Sequence, residues 1–270
     1  MSIFRPHFNG PDLTKARNYA NAIIKKYGIR TSEELDLEAI AWAEFRTLVV
    51  TKLLDGCDAR AIHSKNGGII TLSEGADENR QRFSLAHELG HLALHKSINQ
   101  LAFSKALNLL DYKQLRPEER EADAFAVELL MPEHWILPKC QMEPSLELIE
   151  SLSSSFKTSL TAAAIRYIEC SPYCCAVLLC KEGLVKTCIS SKTFHWEVRS
   201  RLDRDTYAYD FFSGDRQPTG LMKKNFQGRW LESCYGQGDV FLREQTKRLG
   251  KYGTLTLLWV EENDKEDEDW

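Results

Sequence analysis

Arg82-Phe83-Ser84-Leu85-Ala86-His87-Glu88-Leu89-Gly90-His91-Leu92-Ala93-Leu94-His95 combines an apolar helical pattern with the spacing His-Glu-x-x-His. On an α-helix, residues i and i+4 sit about 40° apart around the axis and about 6 Å apart along it, so His87 and His91 present two imidazoles to one point. Glu88 stands one position round. It joins them poorly as a third ligand, but it can reach a water held at that point and take its proton. Leu85, Ala86, Leu89, Leu92, Ala93 and Leu94 make the segment a buried helix, in which two adjacent histidines are costly without a partner. The spacing therefore predicts a metal, and zinc suits this donor set.

Such a site needs a third protein ligand and an open fourth position. Residues Pro117 to Pro132 read as a helix, with a proline at its first position, acids in the first turn, apolar residues at helical spacing and a proline stop. Glu119 and Asp123 are four apart and share one face. Glu119 is assigned as the third ligand. Asp123 lies in the apolar run Ala122, Ala124, Phe125, Ala126 and is assigned as acceptor of the remaining ring N–H of a metal-bound histidine. Glu121 is the rival ligand from the same turn, although it points about 160° from Glu119 at about 100° per residue. His95 is set aside, because it lies about 80° off the face of His87 and the extension His-x-x-Gly-x-x-His is absent. It reads as a helix C-terminal histidine satisfied by the last carbonyls and the helix dipole.

Taken together, Gln81 to His95 and Glu119 to Pro132 resemble the ImmA/IrrE family of zinc metallopeptidases. The resemblance covers residues 30 to 140 closely and the following helical segment loosely. It implies a zinc endopeptidase with His87, His91 and Glu119 as ligands and Glu88 as general base. The implied partner is a helix-turn-helix transcriptional repressor, whose cleavage derepresses stress-response or mobile-element genes. Two other classes stay open: a zinc-stabilised regulator that sequesters a repressor without cutting it, and a component of a toxin–antitoxin module. Glu88 favours the enzyme, since a purely structural site needs no base.

With 270 residues, 43% hydrophobic and 27% charged, the chain is of soluble globular type and long enough for two modest domains. Its apolar stretches fall short of a spanning helix, and Met1 to Pro6 lack the core of a signal peptide, so the expected location is the cytoplasm, with no membrane partner. Net charge is −4. The tail Glu261 to Trp270 holds seven acids and one lysine, which leaves the body slightly basic and makes no case for direct DNA binding. Of eight cysteines, five crowd between Cys170 and Cys188. No Cys-x-x-Cys pair occurs, so they read as small buried hydrophobes and not as a second metal site or redox sensor. Oligomeric state has no signature here.

The expected fold is α+β. A zincin-like, mostly helical peptidase domain with a small antiparallel sheet occupies 1–140, a helical, weakly helix-turn-helix-like segment 141–170, a C-terminal α+β domain 171–260, and a disordered acidic tail 261–270. Leu13, Ala16, Tyr19, Ala20, Ile23, Ile24 and Tyr27 predict a first helix stopped by Gly28, and a second runs from Ser32 to Phe45. Strands follow over Thr47–Leu54, Arg60–His63 and Ile69–Leu72, and the edge of this sheet could pair with an extended substrate. His63 reads as a plain strand residue. Leu146 to Ile168 give two helices about a polar break, with too little Lys and Arg for a DNA reader. Strands at Cys174–Cys180 and Leu184–Ser190 enclose a turn at Lys181-Glu182-Gly183. A polar middle, an amphipathic helix near Val240 to Leu249 and a strand Thr254–Val260 complete a domain expected to sense a signal or recruit substrate. Phe194, Trp196, Tyr207, Tyr209, Phe211 and Phe212 are expected in its core.

Overall fold

The computed structural model describes residues 10–64, 66–95, 102–104, 116–213, 223–232 and 241–260. Two units divide the chain: Met1–Trp135 with Ser154–Ser159, and Ile136–Ser153 with Leu160–Trp270.

In the first unit, helix α1 (Leu13–Tyr27) starts at Asp12, whose carboxylate accepts the Lys15 N–H at 2.9 Å. It ends at Gly28 in the left-handed conformation, as its sequence predicts. The helix expected from Ser32 to Phe45 is two pieces, a 3-10 turn at Ser32–Glu34 and helix α2 (Leu37–Phe45). Asp36 causes the break: its side chain caps α2 by accepting the Ala39 N–H at 2.8 Å, which requires extended backbone at the junction.

Strands β1 (Thr47–Lys52), β2 (Ala59–Ser64), β3 (Gly67–Ser73) and β4 (Ala102–Ser104) form one sheet in the order β1-β3-β2-β4. The expected antiparallel sheet is therefore mixed. β2 and β3 form an antiparallel hairpin, while β1 runs parallel to β3, from Thr47 opposite Gly68 to Lys52 opposite Ser73. β3 and β2 are the inner strands, each burying two apolar side chains, Ile70 and Leu72 on β3 and Ala59 and Ala61 on β2, and alternation along a strand says nothing about which neighbour it pairs with.

Helix α3 (Glu78–Leu94) follows, capped by Asp77 accepting the Arg80 N–H at 3.0 Å. Gln81 ties its first turn to the sheet by donating to the Ser73 carbonyl at 2.8 Å. Helix α4 (Pro117–Leu130) buries Ala122, Asp123, Ala124, Phe125, Ala126, Leu129 and Leu130 against α1 and α3. Its buried Glu128 is satisfied by Asn21 Nδ2 at 3.0 Å and the Glu133 N–H at 3.1 Å. Helix α5 (Glu133–Cys140), unforeseen after the Pro132 stop, crosses the division between the units.

Helices α6 (Leu146–Phe156) and α7 (Leu160–Cys170) lie where two helices are expected. The second unit holds an antiparallel sheet in the order β6-β5-β9-β8-β7, built from β5 (Cys175–Lys181), β6 (Leu184–Ser190), β7 (Lys223–Phe226), β8 (Phe241–Arg248) and β9 (Thr254–Val260). The expected turn joins β5 to β6, with Glu182 and Gly183 both at positive φ. The amphipathic helix expected near Val240 to Leu249 is strand β8, paired with β9 from Leu242 opposite Val260 to Arg248 opposite Thr254. Three of its polar residues, Glu244, Gln245 and Thr246, look like a solvated helix face and are buried instead. Glu244 receives the Tyr207 and Ala208 N–H groups at the start of helix α8 (Tyr207–Ser213) and the Trp230 Nε1–H, at 3.2, 2.7 and 3.1 Å. Gln245 accepts the Leu146 N–H at 2.7 Å. Phe194, Tyr207 and Phe211 are buried, with Trp196, Tyr209 and Phe212 partly so.

Cys140, Cys175 and Cys180 are buried, Cys57, Cys170 and Cys174 half-buried, and Cys188 exposed. Cys234 and the acidic tail lie outside the described residues. Among those residues, no helix is long and apolar enough to cross a membrane.

Candidate metal centre

Helix α3 meets α4 at Gly90. A Cβ on this residue would lie 3.0 Å from both Cα and O of Ala122 and 3.1 Å from the Phe125 ring, so the two backbones touch where any other residue would hold them apart. The close approach sets His87 and His91, one turn apart on α3, against Glu119 and Asp123, one turn apart on α4.

His87 Nε2 and His91 Nε2 lie 3.0 Å apart, and Glu119 Oε2 lies 3.3 Å from the first and 3.5 Å from the second. Ligand atoms at about 2.0–2.1 Å on a tetrahedral zinc lie about 3.3 Å from one another, so the three separations fit. Two imidazoles and one carboxylate are also the donor set of a site that keeps its fourth position open. Among the described residues this is the one group of three or more His, Cys, Asp or Glu side chains close enough to share an ion. Arg116 Nη2 donates to Glu119 Oε1 at 2.9 Å, which leaves Oε2 to the histidines.

Asp123 places its Oδ1 2.8 Å from His87 Nδ1. Burial opposes a charge on His87, but hydrogen bonds to Asp123 and Glu119 and the nearby Glu88 carboxylate prevail and push its pKa up to about 10. The hydrogen bonds of His87 and His91 hold Glu119 well below the usual carboxylate range. Glu88 has no exposed surface. His63 is an exposed residue of β2 and takes no part in the group.

Two residues considered as rival ligands sit elsewhere. Glu121 places Oε2 2.8 Å from His95 Nε2, and its Oε1 accepts the Asp12 N–H at 2.7 Å. His95 does cap α3, through its backbone N–H to the His91 carbonyl at 2.9 Å, but its ring is held by Glu121 and not by the last carbonyls. Its Nδ1 lies 3.1 Å from His91 Nδ1. The four-residue step from His91 to His95 was a visible signal for that contact; Glu121, 26 residues away, was not.

Two histidines from one helix, a glutamate from the next and a buried acid beside the first histidine define a protein of metallopeptidase type. Residues 24–167, just over half of the chain, match the IrrE N-terminal-like domain, a peptidase family, and the chain belongs to that family. A solved structure of a Mycobacterium tuberculosis transcriptional regulator is similar in fold, with a TM-score of 0.56 and 14% identity over 91% of this chain and 74% of that one. No curated protein matches the chain in sequence.

Proposed function

We propose that this chain is a regulatory zinc endopeptidase that cleaves a helix-turn-helix transcriptional repressor. The observation that carries the reading is the convergence of His87, His91 and Glu119 at separations a tetrahedral zinc requires, beside the fully buried Glu88. His87, His91 and Glu119 would hold the ion, and zinc there supplies the Lewis acidity that polarises a water and a scissile carbonyl. Asp123 keeps His87 in the tautomer whose Nε2 faces the centre. Glu88 takes the attacking water's proton on its carboxylate and returns it to the leaving amine. Residues 171–260 recruit the substrate or sense the activating signal, and the protein acts in the cytoplasm on stress-response or mobile-element genes. Sequestration without cleavage is the second reading, favoured by the one feature that the neighbour in fold is a transcriptional regulator.

The test is co-expression with the helix-turn-helix regulator encoded beside the gene, comparing wild type with Glu88→Gln by intact mass of the regulator. A single cut made by the wild type alone supports the peptidase. An uncut regulator that co-purifies with both forms supports sequestration.

A further inference from the structure

A histidine that binds a cation through Nε2 carries its proton on Nδ1, and in a half-buried site that N–H needs an acceptor. For His87 the acceptor is a carboxylate, Asp123. For His91 it is a second imidazole: His95 Nδ1 at 3.1 Å. A neutral His95 accepts there only when its own proton is on Nε2, and that proton points at Glu121 Oε2, 2.8 Å away. Glu121 is fixed in turn, because its Oε1 accepts the Asp12 N–H at the start of α1. With a cation on His91 Nε2, the chain of donors has to run one way, from His91 to His95 to Glu121. Run backwards, it would put the proton on His91 Nε2, the atom that faces His87 and Glu119, and close the site to a cation.

We infer that His95 and Glu121 are positioning residues that lock His91 in its metal-binding tautomer and so govern how tightly zinc is held. The inference rests on the metal reading of His87, His91 and Glu119. It also makes the two ligand histidines unequal: one is backed directly by a charge, the other by a neutral ring with the charge one step behind it. Loss of such support from behind a ligand weakens metal binding by about 10–100-fold.

The experiment measures zinc affinity by competition with a chromophoric chelator in wild type, His95→Leu, His95→Gln and Glu121→Gln. It also reads the ring nitrogen shifts of zinc-loaded wild type by 15N NMR. Expected are a loss of about 10–100-fold for His95→Leu, substantial rescue by His95→Gln, whose amide oxygen can accept the His91 N–H, and an intermediate loss for Glu121→Gln. In wild type, His91 should carry its proton on Nδ1 and His95 on Nε2. The opposite tautomer of His95 overturns the inference without any variant. So do equal affinities for all four proteins, or a His95→Gln no better than His95→Leu. A wild type that binds no zinc sinks the metal centre itself, whereas tight zinc in every form sinks only the relay.

Discussion

The Cα of Ala122 lies 3.0 Å from where a Cβ on Gly90 would be, so α3 and α4 are in backbone contact beside the candidate metal centre. Replacing Gly90 by alanine gains about 1 kcal/mol in helix propensity. Against this stands an overpacking cost of about 1–3 kcal/mol, and backbone atoms of Ala122 cannot swing aside as a side-chain tip would. The clash is expected to win. Gly90→Ala should lower Tm and, by pushing Glu119 and Asp123 away from the histidines, weaken zinc binding by about tenfold or more. A variant more stable than wild type with unchanged zinc affinity would show that the helices have room to spare.

Removing the base should separate metal binding from chemistry. Glu88→Gln is expected to keep zinc and lose cleavage by about 10²–10⁴-fold, the range for a general base. His91→Ala should lose the metal as well, which metal analysis of the purified protein reads directly. Full cleavage by Glu88→Gln would remove Glu88 from the mechanism.

The raised pKa of His87 has a measurable sign. Zinc takes only the neutral ring, so loading at pH 7 should expel about one proton, read by calorimetry in buffers of different ionisation enthalpy. Because the folded value is raised to about 10, charged His87 stabilises the metal-free fold fully below its ordinary value of 6.5, and this is lost as pH rises through about 10. Tm of the metal-free protein should therefore fall between these values, while the zinc-loaded form lacks this contribution. No proton release would contradict the pairing of His87 with Asp123 and Glu119.

Cysteine reactivity should follow burial. Burial pushes the Cys175 thiol up to about 11 and Cys180 up to about 12, whereas Cys188, opposite Leu178 in the β5–β6 hairpin, is exposed. Brief treatment of the native protein with iodoacetamide should label Cys188 well before Cys140, Cys175 or Cys180, as located by peptide mass spectrometry. Labelling of Cys180 at the rate of Cys188 would contradict the burial of Cys180 on β5.

The helices are legible in the sequence through their repeat, and strands β5, β6 and β9 through their apolar runs and the turn at Lys181-Glu182-Gly183. The four-residue steps His87 to His91 and Glu119 to Asp123 survive folding because each lies within one helix, and Gly28 marks the end of α1 with its own backbone. What escaped is set by partners distant in sequence. β8 reads as a helix because Glu244 and Gln245 look like surface, and only α8, Trp230 and Leu146 make them interior. β1 looks antiparallel because the hairpin is the nearest available pairing. Gly90 gives no sign of its role until Ala122 is placed against it.

The parallel pairing of β1 also imposes an order of assembly. Ser64 and Gly67 of the hairpin face each other across 3 residues, but Thr47 and Gly68 pair across 21. Hairpins close in about 1–10 μs, and longer loops cost more entropy to close. β2 and β3 can therefore zip first, leaving one edge of β3 unpaired until β1 arrives. A nascent chain held at that stage would expose a bare strand edge ready to capture a stray strand from another molecule.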